Sequence, residues 1–228
     1  MDFEGFVLAA STATLDDESA AREDADAVEF RMDLADDPLD ALAAYDGTLP
    51  IIVTNRPTWE GGERTDEQSR IDELLEAIEF DAVEAVDVEL GALTDDVEGR
   101  PDATEVVAAA NGSGVDTIVS VHDFETTPDL GELADLTAQT TALGDVGKVA
   151  VTAEHTGQVL DLLRVTYEFS RAHNRVATMA MGAPGRHSRV VAPIYGSSIG
   201  YAPVDPADAT APGQYDLATL RTLVDALL

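Results

Sequence analysis

Short runs of branched and apolar residues recur along the chain, and stretches with helical spacing lie between them. The runs are Phe6–Ser11, Ala27–Leu34, Leu49–Arg56, Ala85–Leu90, Asp116–Phe124, Gly147–Ala153, Arg175–Gly182 and a weaker Ser197–Pro203. Each has the length and composition of a largely buried strand. The clearest helix is predicted over Thr65–Phe80, with Ile71, Leu74, Leu75 and Ile78 on one face and Thr65 as N-cap. Helices are also predicted over His155–His173 and Tyr215–Leu228. Strand alternating with helix argues for a parallel sheet covered by helices. Eight units in 228 residues leave about 28 residues each, enough for a single (β/α)8 TIM barrel domain over residues 1–228. An open doubly wound sheet is the alternative. It normally carries a Gly-rich phosphate loop after its first strand, where Ser11-Thr12-Ala13-Thr14 stands here.

Strand parity says where the polar residues point, because positions i and i+2 share a face. Glu29, Arg31 and Asp33 fall on one face and Val28, Phe30 and Met32 on the other. Thr54 pairs with Arg56, Asp87 with Glu89, Ser120 with His122, and Lys148 with Ala150 and Thr152. Met179 and Met181 share a face in the same way. One such residue means little, since a paired carboxylate or a satisfied core histidine is common. Repetition over successive strands is different: in a barrel these faces converge, and the carboxyl ends of the strands form the active site.

Composition sharpens this picture at one residue. The formal charge is −32, with forty-five Asp plus Glu against thirteen basic residues, and Lys148 is the only lysine. The acidic residues are spread through helices and loops. Their mutual repulsion is largely screened when molar salt shrinks the Debye length to about 3 Å. A protein adapted to a high-salt cytoplasm is expected, with a surface that repels nucleic acid and anionic membranes. The absence of cysteine excludes disulfides, a thiol nucleophile and thiolate metal sites. No basic segment leads into an apolar one at the start and no apolar run approaches a membrane span, so neither a signal peptide nor a membrane segment is expected. A lone lysine kept in a buried strand implies a need for a primary amine.

Such an amine, among apolar walls and near other cations, has its charged form disfavoured. It can then condense with a carbonyl to an iminium, an electron sink that acidifies the adjacent carbon. His122 is suited to move the proton, with Asp87, Glu89 or Glu60 to orient it. The forked donors of Arg31, Arg56 and Arg189 suit a carboxylate or neighbouring hydroxyls. The set predicts Schiff-base chemistry on an anionic, polyhydroxylated carbonyl compound, with no metal ion and no cofactor.

These residues carry a resemblance. EFRMD (Glu29–Asp33), TNRPTWEGG (Thr54–Gly62), VDVEL (Val86–Leu90), VSVHDF (Val119–Phe124), GKVAVTA (Gly147–Ala153), MGAPGRHSR (Met181–Arg189), GSSIGYA (Gly196–Ala202) and TAPGQ (Thr210–Gln214) run nearly the whole chain. In order and content they resemble type I 3-dehydroquinate dehydratase, which eliminates water from 3-dehydroquinate in the shikimate pathway. The resemblance implies Lys148 as the Schiff-base residue, His122 as general base and acid, and Glu60 beside them. It implies Glu29, Arg31 and Arg56 on substrate hydroxyls, and Arg189 with Gln214 on the carboxylate. Ser11, Asp87 and Thr210 would complete the pocket, Met179 and Met181 pack around the lysine, and Tyr195 supply an aromatic lid. A homodimer is the further implication, and the expected lack of a signal peptide or membrane segment points to the cytoplasm. Two departures stand out. Thr210 occupies a position where serine is usual, and the chain starts almost at its first strand, leaving no room for a floor-closing N-terminal hairpin.

Rival readings explain less. Gly196-Ser197-Ser198-Ile199-Gly200 satisfies G-x-S-x-G, but no helix follows it as a nucleophile elbow requires. Another lysine-dependent barrel, such as a class I aldolase, leaves His122 and TAPGQ without a task. A non-catalytic barrel that binds an anion through its arginines is the remaining alternative.

Overall fold

Period-two alternation gives each strand one face to bury against helices and one to bury against the other strands, and a closed ring satisfies both. In the computed structural model, which describes residues 1–94, 102–205, 207 and 213–228, eight parallel strands make that ring. They are β1 (Val7–Thr12), β2 (Ala27–Arg31), β3 (Ile51–Thr54), β4 (Val83–Glu89), β5 (Asp116–Asp123), β6 (Val146–Thr152), β7 (Val176–Met181) and β8 (Ile199–Pro203). Their order is β7-β6-β5-β4-β3-β2-β1-β8. Between β7 and β8 the ring nearly closes through a single parallel bridge, Val176 to Ser197. There Ser198 N–H donates to the Val176 carbonyl at 2.7 Å and Thr178 N–H to Ser197 Oγ at 3.0 Å. The serines of the G-x-S-x-G match thus serve closure of the barrel.

Helices cover the outside: α1 (Glu18–Ala21), α2 (Pro38–Ala44), α3 (Glu67–Ala77), α4 (Thr104–Ser113), α5 (Leu130–Leu143), α6 (Thr156–Arg171), α7 (Gly182–Gly185), α8 (Ser188–Val191) and α9 (Leu217–Asp225). The outward strand faces meet them in apolar clusters such as Val28, Phe30, Val53 and Val86 with Ile71 and Leu74 of α3. None of the described helices is long and apolar enough to cross a membrane.

Two boundaries differ from expectation for local reasons. The second strand stops at Arg31, and Met32–Leu34 forms a turn. Asp33 therefore leaves the strand face and folds back to grip Arg31 through both carboxylate oxygens, at 2.8 and 2.7 Å. In α3 the cap is Asp66, not Thr65, because its carboxylate accepts the Ser69 N–H at 3.0 Å.

The barrel interior changes character with height. Its lower half is apolar, filled by Val7, Ala9, Ala27, Ile52, Ala85, Ile118, Val146, Ala177 and Ile199, and Phe3 belongs to the same cluster. One step up, the inward positions of β1 to β6 become Ser11, Glu29, Thr54, Asp87, Ser120 and Lys148, all buried. A further step brings Arg31, Arg56, Glu89 and His122. An apolar floor under a charged upper layer confines chemistry to the carboxyl end.

Candidate active site

Pairing across β5 and β6 fixes the relation of the two residues most suited to proton chemistry. Lys148 pairs with Ser120 and Ala150 with His122, so His122 lies two residues nearer the carboxyl end on the same inner face. That is a height of roughly 6.6 Å, which the lysine's four-carbon stem spans. Lys148 lies low on its strand and reaches upward, as its sequence position required.

Carboxylates surround the amine. Lys148 Nζ lies 2.8 Å from Asp87 Oδ2 and 3.6 Å from Glu29 Oε1, and 4.1 Å above the centroid of the Tyr201 ring. The cations expected beside it are one atom removed: Arg56 Nη2 meets the same Asp87 oxygen at 3.0 Å. Burial pushes the Asp87 carboxyl up, but Arg56 and Lys148 outweigh it and hold the group well below the ordinary range. Asp87 is therefore a permanent anion, kept in place by the Ser120 hydroxyl, which donates to Oδ1 at 2.6 Å. Glu29 accepts from the Ser11 and Thr54 hydroxyls. These two short polar side chains fix the carboxylate under the pocket.

The histidine is held from three sides. Glu60 Oε2 accepts its backbone N–H at 3.1 Å and meets ring Nδ1 at 2.7 Å. Since that oxygen already accepts the backbone N–H, we assign the ring proton to Nδ1 and the lone pair to Nε2. Phe124 stacks on the ring at 5.9 Å between centroids and 13° between planes. Burial, reinforced by Arg56 and Lys148, lowers the imidazole well below its ordinary value, so it is neutral at pH 7. Burial raises Glu60 to about 8, with Arg56 opposing. Sequence reasoning left Asp87, Glu89 and Glu60 as possible partners of His122, and the geometry selects Glu60.

The glycines after Glu60 make this packing possible. Gly61 has φ +77°, and a Cβ there would approach the Phe124 ring to 2.5 Å; at Gly62 a Cβ would lie 2.0 Å from the Arg56 carbonyl oxygen. Any larger residue displaces either the aromatic ring or the arginine.

Arginines line the rest. Arg56 Nη1 donates to Ser120 Oγ at 2.7 Å and Glu89 Oε1 at 3.0 Å. Arg31 is paired with Asp33 rather than Glu29. Arg189, on α8, is buried like both, but among the described residues its Nε has no hydrogen-bond partner. Burial alone lowers it to about 10. A desolvated cation with no carboxylate beside it among the described residues is built to receive an anion.

Lys148, His122, Glu60, Glu29, Arg31, Arg56, Arg189 and Gln214 line one cleft, with Met179 and Met181 on its wall. Asp87 and Ser11 stand behind it as partners of Lys148 and Glu29. Thr210 lies outside the described residues. Tyr195 is not among the cleft residues; it is 40% exposed, in the turn that leads into the amino end of β8, at the opposite face from the site. Sequence reasoning missed Tyr201, Phe124 and Arg70, and it gave Ser120 a face but no role. Parity with Ile199 turns Tyr201 inward, and Arg70 interrupts the apolar stripe of Leu74 and Ala77. Among the described residues no three His, Asp or Glu side chains stand where they would hold a metal ion.

Comparison with known proteins places the chain. The family described as type I 3-dehydroquinase matches residues 8–227. The 3-dehydroquinate dehydratase of Haloarcula marismortui is 59% identical over 227 residues, covering 100% of this chain and 98% of the relative. That of Halobacterium salinarum is 53% identical, covering 98% of each. The crystal structure of 3-dehydroquinate dehydratase from Geobacillus kaustophilus superposes with a TM-score of 0.84 at 26% identity, over 97% of this chain and 90% of that one.

Proposed function

The chain belongs to the type I 3-dehydroquinase family, and from that membership we propose how its cleft carries out the dehydration of 3-dehydroquinate to 3-dehydroshikimate. Lys148 adds to the substrate ketone, and loss of water gives an iminium on Nζ. Nε2 of His122 removes a proton from the adjacent carbon, and the electron pair moves into the iminium. The carbon–oxygen bond beyond then breaks, and the imidazolium gives its proton to the leaving hydroxyl, so that water departs. Hydrolysis of the product iminium returns the conjugated enone and the free amine.

The observation that carries this reading is the meeting of the only lysine with a neutral, oriented histidine in one charged cleft. Glu60 orients the ring through its contact with Nδ1. Asp87 and Glu29 receive the Lys148 side chain before substrate binds, and Asp87 stays an anion throughout. The unpaired Arg189, with Gln214 beside the same cleft, takes the substrate carboxylate. Arg31 and Arg56 serve the hydroxyls, although carboxylates already occupy several of their donors. Borohydride reduction with 3-dehydroquinate tests the reading through a covalent adduct at Lys148, and turnover without one refutes it.

We also infer a homodimer acting in a salt-rich cytoplasm. Leu160 and Tyr167 on α6, with Ile194 and Tyr195 from the turn packed against it, are 66%, 46%, 51% and 40% exposed, an apolar patch on a strongly acidic protein. Light scattering in molar KCl is expected to give twice the chain mass; a monomer mass refutes it.

A further inference from the structure

Arg70 is fully buried, yet it projects from α3, outside the barrel. Its Nη1 donates to Glu89 Oε2 at 2.7 Å and to the Asn55 carbonyl at 3.3 Å, at the carboxyl ends of β4 and β3. Its Nε meets the partly exposed Glu67 at 3.2 Å. From Arg70 a line of alternating charges runs inward. Glu89 Oε1 accepts from Arg56 at 3.0 Å, Arg56 Nη2 meets Asp87 Oδ2 at 3.0 Å, and that oxygen meets Lys148 Nζ at 2.8 Å.

A buried guanidinium is a poor way to gain stability, because well-packed apolar side chains of similar volume do as well or better once desolvation is counted. Leu74 and Ala77 fill neighbouring positions of the same buried stripe without charge. What Arg70 adds is a grip on the outer oxygen of Glu89, while Arg56 holds the inner one. Besides Glu89, Arg56 Nη1 has the neutral Ser120 hydroxyl at 2.7 Å and, more distantly, Glu60 at 3.9 Å, so Glu89 is its nearest charged partner on that side, and its orientation decides how much of Asp87 is left for Lys148.

We propose that Arg70 is a positioning residue for the dehydration: by pinning Glu89 from outside the barrel wall it fixes Arg56, and through Arg56 the Asp87 carboxylate that receives Lys148. The proposal rests on the role of Lys148 given above. The groups facing Glu89 are Arg56 from the end of β3, Arg70 from α3, Asp87 from its own strand and Ser120 from β5, with Glu60, His122 and Lys148 beyond them. Burial raises Glu89, and Arg56 and Arg70 oppose it. Without Arg70 the carboxyl takes its proton at higher pH, and a neutral Glu89 no longer holds Arg56.

The test is the pH dependence of kcat/KM for Arg70→Met and Arg70→Gln, which remove the charge, and Arg70→Lys, which keeps it on a single point donor. Both neutral variants are expected to move the acid limb upward by about one pH unit and to lower kcat/KM at pH 7 about tenfold, through kcat more than KM. Lysine is expected to return the limb most of the way. These profiles are read on turnover itself, so a missing lysine adduct would sink the Lys148 assignment and leave this test standing. Profiles of the neutral variants that superimpose on the wild type overturn the proposal, whatever their melting temperatures, because a purely structural arginine changes the folded fraction and not the titration of folded enzyme. If neither neutral variant folds, Arg70→Lys decides: a partly displaced limb with reduced kcat supports the proposal, and a wild-type profile overturns it.

Discussion

Replacing Arg189 with methionine should stabilise the free enzyme while disabling it. Arg189 is 5% exposed, and burial alone lowers its guanidinium from the ordinary arginine value to about 10. At about 1.4 kcal/mol per unit, this gap sets a ceiling of about 3 kcal/mol on the strain of keeping the cation buried. The sign is fixed by proton binding. The folded state loses the proton near pH 10 and the unfolded state only at the higher, ordinary arginine value, so the penalty is present in full at pH 7 and is relieved only above about pH 10. Methionine preserves most of the volume, and allowing half the ceiling for its poorer fit in a polar cleft leaves about 1–2 kcal/mol. In a chain of this size that is a rise of about 2–8 °C in melting temperature. With substrate bound the account reverses, since loss of a buried charge-assisted pair costs about 3–5 kcal/mol, or about 10²–10³-fold or more in kcat/KM, mostly through KM. Thermal melts without substrate and enone formation followed by ultraviolet absorbance, both in the same molar KCl, give the two numbers. A variant that melts lower and keeps its kcat/KM would refute the assignment of Arg189 as an unpaired carboxylate receptor.

Three further outcomes follow from the same geometry. His122→Ala is expected to retain adduct formation at Lys148 while turnover falls about 10³-fold or more; near-normal kcat removes His122 from proton transfer. Glu60 keeps its proton in the fold up to about pH 8, against a value of 4.5 for the free side chain, so the folded state binds more protons between those values and its contribution to stability falls as pH rises through that window. Glu60→Gln is expected to lose that slope, and unfolding curves of wild type and variant that run parallel from pH 5 to 9 contradict the raised value. Thermal stability should climb from low to molar KCl as repulsion among forty-five acidic residues is screened; a flat or falling melting temperature refutes salt adaptation.

Much of the fold was legible because strand parity and burial agree. Once Val149 and Val151 were placed outward, Lys148 had to point inward, and the same logic set Asp87, Ser120 and His122. What parity does not convey is which inward groups touch. Asp33 alternates correctly with Arg31, yet the chain turns at Met32 and makes the two a chelating pair. Lys148 was expected near cations, and the cation is there only across Asp87, because the register that sets Ser120 against Lys148 also carries Asp87 between them. Arg70 escaped notice because on an amphipathic helix a lone arginine reads as solvated, and only the third dimension brings Glu89 within reach. Tyr195 failed as a lid because a turn entering the amino end of a strand lies at the far face of a parallel barrel.

The central claim is that Lys148 holds the substrate covalently, and the chain's composition makes it unusually easy to test, since no other lysine competes. Borohydride added during turnover of 3-dehydroquinate, followed by mass spectrometry of the peptide that contains Lys148, is the direct measurement. The account predicts loss of activity together with a reduced adduct on that peptide. Full inactivation with the adduct on another residue, or sustained turnover with Lys148 unmodified, would contradict it.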